Sequence, residues 1–131
     1  MSNADTPKLL AVTGDPQVIR RITESAGAWY TITPCRFPQQ AMQLLARDRS
    51  IRLLVTEHNS AHANFLDEVR DIRPDVLRVM LTAYSDLGSI VSGLHSGAIQ
   101  RLVQKPIVME ELRATIDPAS LLPTAPNALS A

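Results

Sequence analysis

A single cysteine, Cys35, rules out an internal disulfide and fits a reducing compartment. Charge excess of either sign is missing too. Lys and Arg number 13 against 13 Asp and Glu, so the formal net charge is zero and the chain offers no electrostatic footprint for nucleic acid or an anionic membrane. No apolar run approaches the roughly 18 residues of a membrane span, and no charged-then-apolar leader opens the chain. Walker A, G-x-S-x-G and C-x-x-C motifs are absent. The stretch "AVTGDP" begins like a dinucleotide fingerprint but lacks its second and third glycines. What remains is a chain of 131 residues, long enough to bury a core without disulfide or metal staples. The expectation is one cytoplasmic domain that touches neither nucleic acid nor membrane.

Short apolar runs alternate with segments of helical period. The predicted strands are "KLLAVT" (8–13), "WYTIT" (29–33), "RLLVT" (52–56), "VLRVMLT" (76–82) and "QRLVQ" (100–104). Between them lie stripes spaced for one buried helix face. Val18, Ile19, Ile22 and Ala26 mark the first helix, and Ala41, Met42 and Leu45 the second. Phe65, Val69 and Ile72 mark the third, and Leu87, Ile90, Val91 and Leu94 the fourth. Val108, Leu112 and Ile116 mark the fifth. Asp15 followed by Pro16 reads as an N-cap with proline at the first helical position, and Ser85-Asp86 as a cap for the fourth helix. Gly27 and Gly97 stand where helices should stop. Five strands and five helices in strict alternation imply an α/β fold, a doubly wound parallel sheet with right-handed crossovers and helices on both faces. Residues 1–7 lack periodicity and are expected to be disordered. Residues 8–116 form the domain, and 117–131 read as a Pro-rich tail or linker.

In an open α/β sheet, chemistry collects at the carboxyl ends of the strands. Those ends carry Thr13 and Gly14, Glu57, Thr82, and Lys105 followed by Pro106. The stretch "LRVMLTAYSDLGSIVSGLHSGAIQRLVQKPIVMEEL" joins a fourth strand ending in Leu-Thr-Ala, an Asp at a helix start, a Gly before the fifth strand, and Lys-Pro. Over residues 8–116 the chain resembles the receiver domain of two-component response regulators. The resemblance implies a flavodoxin-like (βα)5 fold with strand order 2-1-3-4-5, acting in phosphorelay signalling. In such receivers an aspartate after the third strand takes a phosphoryl group from a histidine kinase. An acidic pair after the first strand holds Mg²⁺, and a hydroxyl and a lysine bind the phosphoryl oxygens.

The resemblance places Glu57 at the phosphoacceptor position, Thr13 and Gly14 at the acidic pair, Thr82 and Lys105 at the phosphoryl-binding groups, and Leu102 at the aromatic switch. The loop after Glu57 has Ala61 and Phe65 where the family often has Pro and Gly. Charge counting then bears on the pocket. Three carboxylates would balance a dication and a lysine, whereas Glu57 faces Lys105 alone and is already neutral without a metal. A dication added there would leave two uncompensated charges in a partly buried cleft. A Glu–Lys pair at about 4 Å has a gross attraction near 4 kcal/mol at an effective dielectric of about 20, much of it offset by desolvation. The expectation is a degenerate pseudo-receiver without bound Mg²⁺, not phosphorylated and not an enzyme.

Alternatives stay open. Glu57 reads either as a fixed stand-in for a phosphorylated aspartate or as a plain salt-bridge partner of Lys105. Thr82 and Lys105 serve signalling on one reading, and a strand cap and a charge partner on the other. Leu102 reads as packing. His58 and His62, four apart beside Glu57, read as a surface pair rather than metal ligands, for want of a third ligand. Cys35 reads as a small buried residue rather than a nucleophile. Expected partners are a histidine kinase or another signalling protein, an output domain beyond Ile116, or a second copy. The contact face is that of the fourth helix, fifth strand and fifth helix. Rival readings are a receiver that is still phosphorylated, and a flavodoxin-like domain that binds or converts a small ligand.

Overall fold

Residue alternation along each strand divides the apolar side chains between two layers. Leu9, Ala11, Leu53, Val55, Val79, Leu81 and Val103 pack with Val18, Ile22, Leu112 and Ile116. Leu10, Val12, Leu54 and Met80 pack with Ala41, Leu45, Phe65, Val69 and Ile90. The computed structural model describes residues 6–57, 64–83 and 87–118. Its elements are β1 (Lys8–Val12), α1 (Pro16–Ala26), β2 (Thr31–Cys35), α2 (Pro38–Arg47), β3 (Ile51–Glu57), α3 (Phe65–Ile72), β4 (Leu77–Ala83), α4 (Leu87–Ser96), β5 (Arg101–Lys105) and α5 (Met109–Ile116). All strand pairs are parallel in the order β2-β1-β3-β4-β5, as expected. The first layer is therefore covered by α1 and α5, the second by α2, α3 and α4.

Several boundaries differ from the sequence reading. The second strand runs over 31–35 rather than 29–33. Trp29 and Tyr30 have strand-forming side chains, but their amides both return to the Ala26 carbonyl and close the end of α1. Tyr30 is buried and its hydroxyl donates to the Ile116 carbonyl (2.9 Å). That burial pushes the phenol up to about 12, with Asp117 adding to the effect. Pro34 fits because β2 is an edge strand. Pro7, read as part of the N-terminal tail, accepts from the Thr31 amide (3.0 Å) and so joins the strand entry. The Ser85-Asp86 cap, Ala61, His58 and His62 lie outside the described residues. So do residues 1–5 and 119–131, which make up most of both predicted tails.

Three helix stripes are not buried in full as read. Val91 is 47% exposed and Leu94 42%, while Ile90 of the same stripe is buried. Ile72 ends α3 facing solvent, and Val108 is exposed as the N-cap residue of α5. The helical period identified these helices, but an amphipathic stripe broader than the available layer leaves its margins outside. The Asp15 cap is as expected, with its carboxylate accepting from the Gln17 amide (2.9 Å). Gly97 closes α4 with φ 84°, a left-handed conformation that favours glycine.

Two buried arginines, invisible to the apolar pattern, hold the loops at the amino ends of the strands. Arg73 is 2% exposed. Its guanidinium donates to the carbonyls of Leu45, Asp48 and Ile51 (2.8–3.0 Å) and makes a bidentate pair with Asp75. One of these, the Leu45 carbonyl, belongs to the last turn of α2, where carbonyls lack intrahelical partners. Arg78 donates to the carbonyls of Val76, Gly97 and Ala98 (2.9–3.1 Å) just beyond α4. Burial lowers its pKa from the ordinary arginine value.

Arg73→Ala should lower the urea-unfolding free energy by about 3–5 kcal/mol, since three buried carbonyls and Asp75 lose their partner together. The acid limb follows from two carboxylates. Lys8 and Ser50 beside Asp48 hold its pKa at about 2, and the Arg73 guanidinium lowers that of Asp75. Both are depressed on folding, so their stabilisation is complete above the unfolded carboxylate pKa of about 4 and drains as pH falls toward about 2. Chemical denaturation from pH 6 to pH 2 should show that loss, and Asp48→Asn should reduce it.

Candidate functional site

Register brings three strand ends together. Val12 pairs with Thr56, so Thr13, the next residue of the chain, stands beside Glu57. Glu57 pairs with Leu81, and Ala83 with Lys105. By alternation Thr13, Glu57 and Lys105 share the parity of Ala11, Val55 and Val103. Glu57 and Lys105 are two strand spacings apart laterally, about 9.6 Å, and Lys105 lies two residues further along, a gap that only long side chains close. Lys105 reaches across β4 and its ammonium donates to Glu57 Oε1, while the Thr13 hydroxyl donates to Glu57 Oε2.

The Thr13 hydroxyl is oriented from behind. Its oxygen accepts the Asp15 amide (3.0 Å), which leaves its proton for Glu57. Asp15 spends its own carboxylate on the α1 cap. The Lys105–Pro106 peptide is cis. Thr82, which the resemblance places at a phosphoryl-binding group, has the parity of Met80, on the other side of the sheet, and its hydroxyl donates to the Ala83 carbonyl (3.2 Å). It is buried and acts on its own strand end. Leu102 packs against the α2–α4 layer, as its apolar side chain implies.

The position of the acidic pair holds other chemistry. Thr13 is committed to Glu57, and Gly14 has no side chain. The space beside Gly14 is taken by Arg36, whose Nε lies 3.5 Å from where a Cβ on Gly14 would stand. A guanidinium there is the wrong sign for a dication site. Among the described residues no group of three or more His, Cys, Asp or Glu could hold a metal ion. The residues present therefore do not fit the Mg²⁺ that the resemblance brings with it.

Arg36 was not among the residues the sequence singled out. Reading the second strand as 29–33 ended it before Pro34, so its carboxyl end contributed nothing to the edge. With β2 at 31–35, Cys35 pairs with Val12 and its carbonyl accepts the Thr13 amide (2.9 Å), bringing Arg36 to the site. Cys35 itself is buried, with its thiol against the Phe37 carbonyl (3.2 Å) and its pKa raised by burial. The signal that could have found this register was the turn-forming "GAW" after α1.

No protein-family model matches the chain, and no curated protein matches it by sequence. Solved structures do match. The signal receiver domain of an HD domain-containing protein from Pseudomonas fluorescens Pf-5 is 27% identical, with a TM-score of 0.74 over 87% of this chain and 94% of that one. A response regulator from Thermotoga maritima is 18% identical, with a TM-score of 0.76 over 88% and 97%. An adenylate cyclase structure from Rhodopirellula baltica is 19% identical, with a TM-score of 0.79 over 95% and 96%. The chain shares the flavodoxin-like fold of receiver domains, with strand order 2-1-3-4-5.

Glu57→Gln should destabilise the domain by about 1–2 kcal/mol, leaving Lys105 half-buried without its counter-charge. A double-mutant cycle with Lys105→Gln, read by urea unfolding, should return a favourable coupling of about 1 kcal/mol, reduced by the partial exposure of both groups. Zero coupling would show the pair to be ornamental to the fold.

Proposed function

We propose that the chain is a receiver-type signalling module that works by contact, without phosphoryl transfer and without catalysis. The observation that carries this reading is the state of Glu57, both of whose carboxylate oxygens are already engaged, one by Lys105 and one by Thr13. A phosphoacceptor needs a free oxygen aimed in line at the donor, and a cation to offset the charge that develops. Here the lysine is paired in advance, the acidic pair is replaced, and Arg36 stands beside Gly14. The longer glutamate also displaces the attacking oxygen, and misplacement of that order costs about 100-fold. Of the two readings of Glu57, the ion-pair lock is favoured over the phosphate mimic. A mimic would draw in Thr82, and that hydroxyl is bonded to its own strand.

The partners of such a module would be a histidine kinase or another signalling protein, an output domain following α5, or a second copy. The α4–β5–α5 side carries Val91, Leu94 and Val108 exposed, which supports it as the contact face.

Incubation with acetyl phosphate and Mg²⁺ should leave the intact mass unchanged. Gain of one phosphoryl group, lost in Glu57→Gln, would overturn the proposal. Titration with millimolar Mg²⁺ should give no saturable amide shifts at residues 13–15, 57 and 105. The triple variant Thr13→Asp, Gly14→Asp, Glu57→Asp should gain them, because a Cβ at Gly14 meets Arg36 only at ordinary contact distance.

A further inference from the structure

A cleft of about 440 Å³ opens beside Glu57 and runs in between α3, α4 and the sheet. That is an ordinary size for a small-molecule site, whereas voids left by packing are few and small. Its floor is apolar, from Phe65, Leu66, Met80, Ile90 and Ile99. The helix above presents Ser92, Gly93 and Ser96 to it, while the larger Val91 and Leu94 of the same helix face solvent. Ile90 reaches the floor from the same helix, but Val91 and Leu94, which could fill more of the space, are directed out of it.

The charges around the cleft select its occupant. Glu57 is neutralised by Lys105 and Asp67 pairs with Arg70 (3.5 Å). Arg36 remains, and among the described residues no carboxylate pairs with it. Its guanidinium is positioned at the mouth by the bare backbone of Gly14 and by the Phe37 ring, whose centroid is 5.7 Å away. A planar, permanently charged fork above an apolar slot matches a carboxylate that carries a hydrocarbon chain.

We infer that the cleft binds a free amphiphilic carboxylate, with its chain between α3 and α4 and its head on Arg36. The inference does not rest on the signalling reading. Glu57 keeps its own partner throughout and the ligand uses a different cation.

Decanoate is the probe, followed by backbone amide shifts. Saturable shifts are expected at Phe65, Leu66, Ile90 and Ile99, with octanoate binding about 15-fold more weakly, at roughly fourfold per methylene. Arg36→Ala, an exposed site whose replacement leaves the core intact, should weaken decanoate by about threefold to tenfold. Decanol should bind the parent protein more weakly than decanoate by a similar factor, and both should bind Arg36→Ala alike. Absence of saturable shifts up to millimolar decanoate would overturn the inference. So would equal binding of decanoate and decanol to the parent, or affinity independent of chain length. Ala98→Leu, which grows into the cleft, should abolish the shifts; retained binding in a folded variant would count against the inference equally.

Discussion

A parallel sheet covered by helices on both sides has no solvated face, so its strands can keep polar side chains only at their ends. This constraint organises the molecule. Leu53, Leu54 and Val55 fill both layers in succession, and the first carboxylate of β3, Glu57, comes where the layers stop. The same rule brings Thr13 and Lys105 to the carboxyl edge from β1 and β5, and puts the loop-holding arginines toward the opposite edge. The candidate site and the loop-holding arginines thus lie at opposite ends of the strand axis.

The two edges handle buried charge differently. At the amino edge, Arg73 and Arg78 are almost fully enclosed and are matched mainly by backbone carbonyls, in the fixed geometry that a guanidinium requires. At the carboxyl edge, Lys105 and Glu57 remain half-exposed and are matched by each other and by one hydroxyl. The first arrangement fixes loops. The second neutralises a site whose acceptor oxygens would otherwise face solvent, and it spends the lysine in doing so. The pocket is thus self-satisfied at the position where the receiver fold ordinarily concentrates negative charge.

Beside that closed pair lies an open cleft, and the contrast follows from α4. Ser92, Gly93 and Ser96 line the cleft together with Ile90, while Val91 and Leu94 face outward. Its C-terminal end is nonetheless held firmly, because Arg70 takes the Ser96 carbonyl and Arg78 those of Gly97 and Ala98. A helix pinned at its end gives the molecule a cleft with an apolar floor, and the Arg36 at its rim has no carboxylate partner among the described residues.

Local pattern alone determined the element order, the parallel topology and the Asp15 cap, while the meeting of Glu57 with Lys105 followed from the strand order that the resemblance implied. The first three follow from alternation, from helical period, or from capping chemistry. Tertiary structure decided the rest. The side of the sheet that Thr82 faces depends on strand parity relative to its neighbours, and the arrival of Arg36 depends on β2 starting two residues late because Trp29 and Tyr30 finish a turn. Arg73 and Arg78 look like surface charges in sequence, since nothing local reveals that carbonyls from three separate segments will converge on them. Which half of the α4 stripe is buried was equally illegible. Periodicity defines a helix face, but only the space left by the neighbouring elements decides how much of that face goes inside.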